Sequence, residues 1–187
     1  SHSDIGDHSI KITATSGADS VTQSFIISVA SDYSFITDNF DSLSFSDGDK
    51  QKINSDLTIG SMLLSSSNLK VTDGTLNFEE LIIDTGGEFF IEDGKTTISN
   101  QLELSSGSKM KMSNGVLAIT EFILSESEFE IDGGDTEIDE LTIDSSSSLS
   151  FSGGYLELEK LVLSDDSTCN LTGGSLIVSE VSGDVTN

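Results

Sequence analysis

The run Leu117-Ala118-Ile119-Thr120-Glu121-Phe122-Ile123-Leu124, followed after a short polar bend by Phe129-Glu130-Ile131-Asp132-Gly133-Gly134, decides how this chain folds. It holds three apolar pairs, Leu117/Ile119, Phe122/Leu124 and Phe129/Ile131, and glycine closes the last. Within each pair the spacing is two, the side-chain period of a strand. Outward from this stretch the same pattern recurs about every twenty residues, from roughly Leu57 to the C-terminus. The first column reads Leu76/Phe78, Thr96/Ile98, Leu117/Ile119, Thr136/Ile138, Leu156/Leu158, Leu176/Val178. The second reads Leu81/Ile83, Leu102/Leu104, Phe122/Leu124, Leu141/Ile143, Leu161/Leu163, and the third runs from Leu69/Val71 to Cys169/Leu171. Gly74, Gly94, Gly115, Gly134, Gly154 and Gly174 close the third pairs. A fixed period of this size marks a solenoid.

Each coil is expected to be three short strands joined by three bends. The bend after the first strand is brief, as at Glu79-Glu80. The next is longer and polar, as in 144–148, and the third ends in Asp-Gly, Asn-Gly or Gly-Gly, residues that tolerate positive φ. A lone coil cannot fold. Burying its apolar side chains yields on the order of 10 kcal/mol, whereas ordering the backbone costs roughly 20–40 kcal/mol. Stacked coils close a dry column, with parallel strands about 4.8 Å apart and right-handed connections. The expected class is therefore all-β, a right-handed parallel β-helix. A helix is excluded, because the apolar residues alternate and glycine interrupts every repeat. An antiparallel sandwich would also suit short alternating strands, but it does not need one residue class at one place in every repeat.

Over about residues 57–185 the repeat resembles the parallel β-helix of bacterial autotransporter passengers, surface adhesins and some polysaccharide-degrading enzymes. The likeness is one of pattern, and no catalytic motif travels with it. Hexapeptide-built left-handed helices need about eighteen residues per coil, unlike this period. The RTX calcium nonapeptide is approached only by Gly133-Gly134-Asp135-Thr136-Glu137-Ile138, which lacks its third glycine and final aspartate.

Upstream, residues 9–14 and 21–29 read as two strands. The runs from Gly6 to Thr15 and from Gln23 to Val29 resemble the last two strands of an Ig-like or cadherin-like extracellular module of the dystroglycan type. Two strands alone are marginal in water, so they are expected to dock on the solenoid, pair with another chain or complete an upstream domain. The start Ser1-His2-Ser3, without an initiator Met, suits a processed product or a segment of a larger protein. Residues 31–56 break the period and concentrate Tyr33, Phe35, Ile36, Phe40, Leu43 and Phe45. They are assigned as linker and N-terminal cap, with Leu43/Phe45 as a third-column pair. The division is thus 1–30, 31–56 and 57–187. No comparable cap is legible at the C-terminus, where 181–183 fades out.

The net charge is −25, carried with eight Lys and no Arg. That excludes nucleic acid, whose phosphates need Lys and Arg, and no apolar run is long enough to insert in a bilayer. An acidic, Ser/Thr-rich repeat chain points to an extracellular or cell-surface setting. Cys169, the single cysteine, takes an inward column position and reads as a small buried hydrophobe. Asn170-Leu171-Thr172 is an N-glycosylation sequon with Asn170 pointing outward.

The usual catalytic sets are missing. Only His2 and His8 exist, both near the terminus, which leaves no Ser-His-Asp arrangement or zinc site in the solenoid. Lysines are scattered along the chain. Glu79/Glu80 and Asp139/Glu140 read as solvated bends sooner than as an acid–base pair. Two outward columns stand out. One reads Glu80, Gln101, Glu121, Glu140, Lys160, Glu180. Carboxylates stacked at strand spacing repel by about 1 kcal/mol per pair even in water, relieved by splaying, by Lys160 or by calcium, which takes oxygen ligands. The candidate metal ligands are Glu80, Glu121 and Glu140. The other column reads Leu63, Ile82, Glu103, Ile123, Thr142, Val162, an apolar strip on a solvent face. Such strips mark contact surfaces, to be covered here by residues 1–45 or by another protomer. A lone Thr142 is no threonine ladder, so an ice-ordering role is disfavoured.

These features point away from an enzyme, towards a structural or adhesive extracellular protein that assembles through lateral apolar and end-on contacts. The partners expected are itself or neighbouring surface-protein modules, with a glycan as a further class. The alternatives are a carbohydrate-active β-helix enzyme fragment and a calcium-dependent glycan-binding adhesion module.

Overall fold

The computed structural model describes residues 6–16 and 19–29 in their backbone course, and residues 33–144 and 146–183. Two compact units divide the chain, Ser1–Ser34 and Phe35–Asn187. In the first, β1 (Gly6–Ser16) and β2 (Asp19–Val29) form an antiparallel hairpin, with Ile10 opposite Phe25 and Ile12 opposite Gln23. Both strands run longer than the sequence signals at 9–14 and 21–29.

The second unit is a parallel β-solenoid of two eight-stranded sheets. It opens with β3 (Ser34–Phe35), β4 (Phe40–Phe45), β5 (Lys50–Ile53), β6 (Leu57–Ser65) and β7 (Asn68–Val71). It continues through β8 (Thr75–Asp84), β9 (Glu88–Ile91), β10 (Lys95–Leu104), β11 (Lys109–Met112), β12 (Val116–Leu124) and β13 (Glu128–Ile131). It ends with β14 (Asp135–Ile143), β15 (Ser148–Phe151), β16 (Tyr155–Leu163), β17 (Thr168–Leu171) and β18 (Ser175–Gly183). From β4 onward the even-numbered strands make one sheet and the odd-numbered strands the other, each pairing with the strand one coil away. Ile83, Leu104, Leu124, Ile143 and Leu163 are register partners in one file, along which residue n sits on residue n + 19 to n + 21.

The apolar pairs expected on two separate strands lie on one long strand. Between Phe78 and Leu81 two residues in succession, Glu79 and Glu80, face outward, and the ladder continues through this corner. β10 carries one residue more here, a bulge between Ile98 and Gln101. A bulge accommodates one extra residue without ending the pairing, which is how a period varying by a residue keeps its columns in file. Each coil therefore has one long strand folded over a corner and one short strand.

The core is continuous from Ile36 to Leu161. Phe78 meets Phe89 edge-on at 6.4 Å between centroids, and Phe122 meets Phe129 at 5.0 Å, bridging the two sheets. The glycine bends are as tight as the sequence implies. Gly115 has φ +91°, and a Cβ there would stand 2.5 Å from the carbonyl oxygen of Gly94. In the first coils an Asx side chain takes over that carbonyl's role: Thr58 N–H donates to Asn39 Oδ1 at 2.6 Å and Thr75 N–H to Asp56 Oδ1 at 2.7 Å. The polar bend holds a signal the sequence did not show. Its left-handed position is filled by non-glycine residues in successive coils, among them Thr85 (φ 49°) and Glu126 (φ 50°).

The structure departs from the sequence reading at several residues. Leu43/Phe45 belongs to the second column, opposite Met62/Leu64, and β4 and β5 already belong to the two solenoid sheets upstream of residue 57. Their apolar pattern is thinned by Ser42, Ser44 and Gln51, which hid the period. Residues 40–45 therefore extend the sheet at its edge and do not lie over the apolar strip; Ser44 is the register partner of Leu63. Cys169 sits in register on Leu149 but is exposed, because no further coil of the described residues covers it.

Candidate interaction surface

The outer face of the long-strand sheet carries the apolar strip. Leu63, Ile82, Glu103, Ile123, Thr142 and Val162 follow one another as register partners, each half-buried by its neighbours. β-branched residues in cross-strand file pack against one another, so the strip is one residue wide and continuous except at Glu103.

Two positions before it runs the carboxylate column. Glu80 has Ser61 and Gln101 as neighbours, and Gln101 separates it from Glu121. Glu121 is beside Glu140, which is paired with Lys160 at 2.8 Å. That contact raises the Lys160 pKa. Glu80, Glu121 and Glu140 therefore do not converge on one point, and among the described residues no three acidic, His or Cys side chains lie close enough to hold a metal. An amide and an ammonium, spaced by the coil, interrupt the like charges.

The short-strand sheet presents a face that the sequence concealed. Its outward positions collect Lys50, Lys52, Lys70, Lys109 and Lys111 against Glu88, Glu128 and Glu130. Five of the chain's eight lysines thus gather on one sheet. Over its strands the long-strand sheet carries thirteen acidic side chains and two lysines, Lys95 and Lys160. The only available signal was that both outward positions of a third-column strand can be Lys, as in Lys109-Met110-Lys111-Met112. It becomes visible only when such strands are stacked. Within the lysine face, Lys70 pairs with Glu92, Lys109 with Glu128 at 2.7 Å, and Lys111 with Asp132 at 2.6 Å and Glu130 at 3.1 Å. The Glu128 bond raises the Lys109 pKa; those to Asp132 and Glu130 raise that of Lys111. Asp132 is held below the usual carboxylate range by Lys111 and, next, by the Ser152 hydroxyl.

Asn170 is exposed, with Ser150 as its register partner, and Thr172 of the sequon is exposed as well. Glu79 lines a shallow open groove of about 450 Å³ with Asn39, Phe40, Asp41, Thr58 and Gly60. Asp139 lines another, away from Glu79. Neither groove contains a lysine.

Compared with protein-family models, with curated proteins and with solved structures, the chain has no match.

Proposed function

We propose that this chain is a structural or adhesive module of the extracellular space or cell surface, and that its solenoid works by side-to-side association with copies of itself or with neighbouring modules. The observation that carries the reading is the file Leu63–Ile82 and Ile123–Thr142–Val162, aliphatic at four of its five positions, on the outer face of a parallel sheet. Half-buried aliphatic side chains gain further burial only when a second surface covers them, at roughly 25 cal/mol per Å². Stacked coils favour this use, because each repeat presents the same face and so builds an extended surface.

The test is sedimentation of the native chain over a range of concentrations, with negative-stain microscopy, against an Ile82→Lys/Ile123→Lys variant. Concentration-dependent association that the variant loses, with its melting temperature kept, supports the reading. If the native chain stays monomeric throughout, the reading falls. A variant that instead loses thermal stability without change of mass shows that the strip is covered within the chain.

A second reading has one observation of its own. Phe40 is 39% exposed at the groove that also holds Asn39, Asp41 and Glu79. An aromatic ring beside amide and carboxylate groups suits a sugar ring, and glycan binding lost in Phe40→Ala would favour a glycan-binding adhesion module.

A further inference from the structure

The two sheet faces of the solenoid are complementary, and we propose that the partner of the long-strand face is the short-strand face of a second copy, docked front to back. This rests on the self-association reading above and names its geometry. The short-strand face carries five lysines and three glutamates on its strands, with Glu92 and Asp132 of the adjoining bends paired to Lys70 and Lys111; past its corner the long-strand sheet presents six acids to one lysine, Lys160. Like-with-like pairing of long-strand faces would set carboxylate columns against each other. Front-to-back pairing sets them against ammonium groups, and potential complementarity of this kind selects partner and register.

The rungs make the match extend. Both faces belong to one coil, so their rows share one axial spacing, about 4.8 Å per strand. Aligning one rung of two parallel copies therefore aligns the rest. On the short-strand face Lys52, Lys70, Phe90 and Lys111 are successive register partners. On the long-strand face Ile82, Glu103, Ile123 and Thr142 are. With β5 set opposite β8, Lys70 stands opposite Glu103, the one charge in the apolar strip, and Phe90, the one aromatic in the lysine row, opposite Ile123. Lys52 stands at the rung that carries Glu80. A contact between two different faces is heterologous and leaves a free face on each side, so it propagates.

The test uses the full chain in two forms, Lys52→Glu/Lys70→Glu and Glu80→Lys/Glu103→Lys, with circular dichroism to confirm the fold and sedimentation to measure association. Each form alone is expected to associate at least about ten-fold more weakly than the native chain, and an equimolar mixture to recover, since every junction then joins opposite charges again. Should Lys52→Glu/Lys70→Glu lose its fold, Lys52→Gln/Lys70→Gln replaces it, with the same loss expected. If the short-face form associates like the native chain while the long-face form does not, long-strand faces meet each other and the proposal is overturned. It is overturned too if neither form differs from the native chain, although self-association then stands. A native chain that never associates overturns the underlying reading as well.

Discussion

The carbonyl oxygen of Gly94 accepts the amide N–H of Val116 at 2.8 Å, and that same oxygen lies 2.5 Å from where a Cβ on Gly115 would be. Glycine at 115 is thus required twice, by its φ of +91° and by the backbone of the coil beside it. Gly115→Ala is expected to lower stability by about 2–5 kcal/mol, left-handed strain adding to overpacking. Gly107 (φ +76°), with nothing near its Cβ position, should lose only about 1–2 kcal/mol as Gly107→Ala. Urea midpoints of the two variants measure the difference; equal losses would show that φ alone requires the glycines.

Thr96 is fully buried in the first column between Leu76 and Leu117, and its hydroxyl has no partner. Thr136, in the same column, places its hydroxyl 3.2 Å from Met112 Sδ. A buried unpaired hydroxyl is destabilising, so Thr96→Val should raise stability by about 1 kcal/mol and Thr136→Val by less. Thermal melts of the two variants decide it, and a loss in Thr96→Val would show that the hydroxyl is satisfied in solution.

The pH dependence of the Lys111–Asp132 pair follows from the depressed pKa of Asp132. Its contribution is complete above the unfolded aspartate value, about 3.9, and is lost only as pH falls through the lower folded value. Both side chains are more than a third exposed, which limits the effect to about 1 kcal/mol or less. Asp132→Asn should therefore cost a few tenths of a kcal/mol, up to about 1, at pH 7, and progressively less as pH falls below the unfolded value. Stability curves that keep a constant offset down to pH 2 would argue against the pair.

Cys169 is exposed, yet the protein on its Leu149 side desolvates the thiol and raises its pKa. Native protein should take up one equivalent of a maleimide without denaturant, at a rate still rising above the ordinary thiol value near 8.5. No labelling before unfolding would place Cys169 in a covered core.

The fold was legible because one constraint repeats. Leu81, Leu102, Phe122, Leu141 and Leu161 all face one column, and strand alternation with a closing glycine writes that column into the chain at a nearly fixed period. Where the constraint weakens, legibility stops. Serines dilute the pattern in β4, and the corner at Glu79-Glu80 looks like a break between strands because both residues face outward, although the backbone ladder runs through it. The apolar strip was legible for the same reason as the core, since Ile82 and Ile123 alternate with buried neighbours.

Local alternation and the glycine bends were enough to write the solenoid, its parallel stacking and, from Leu57 onward, the inward or outward direction of the paired apolar residues into the chain. Which outward residues become neighbours depends on the register between coils. Lys52 and Lys70 are eighteen residues apart in the chain and adjacent in space, and Glu140 finds Lys160 across a coil. Charge acts over a few ångströms, and coiling, not sequence order, sets distances on that scale.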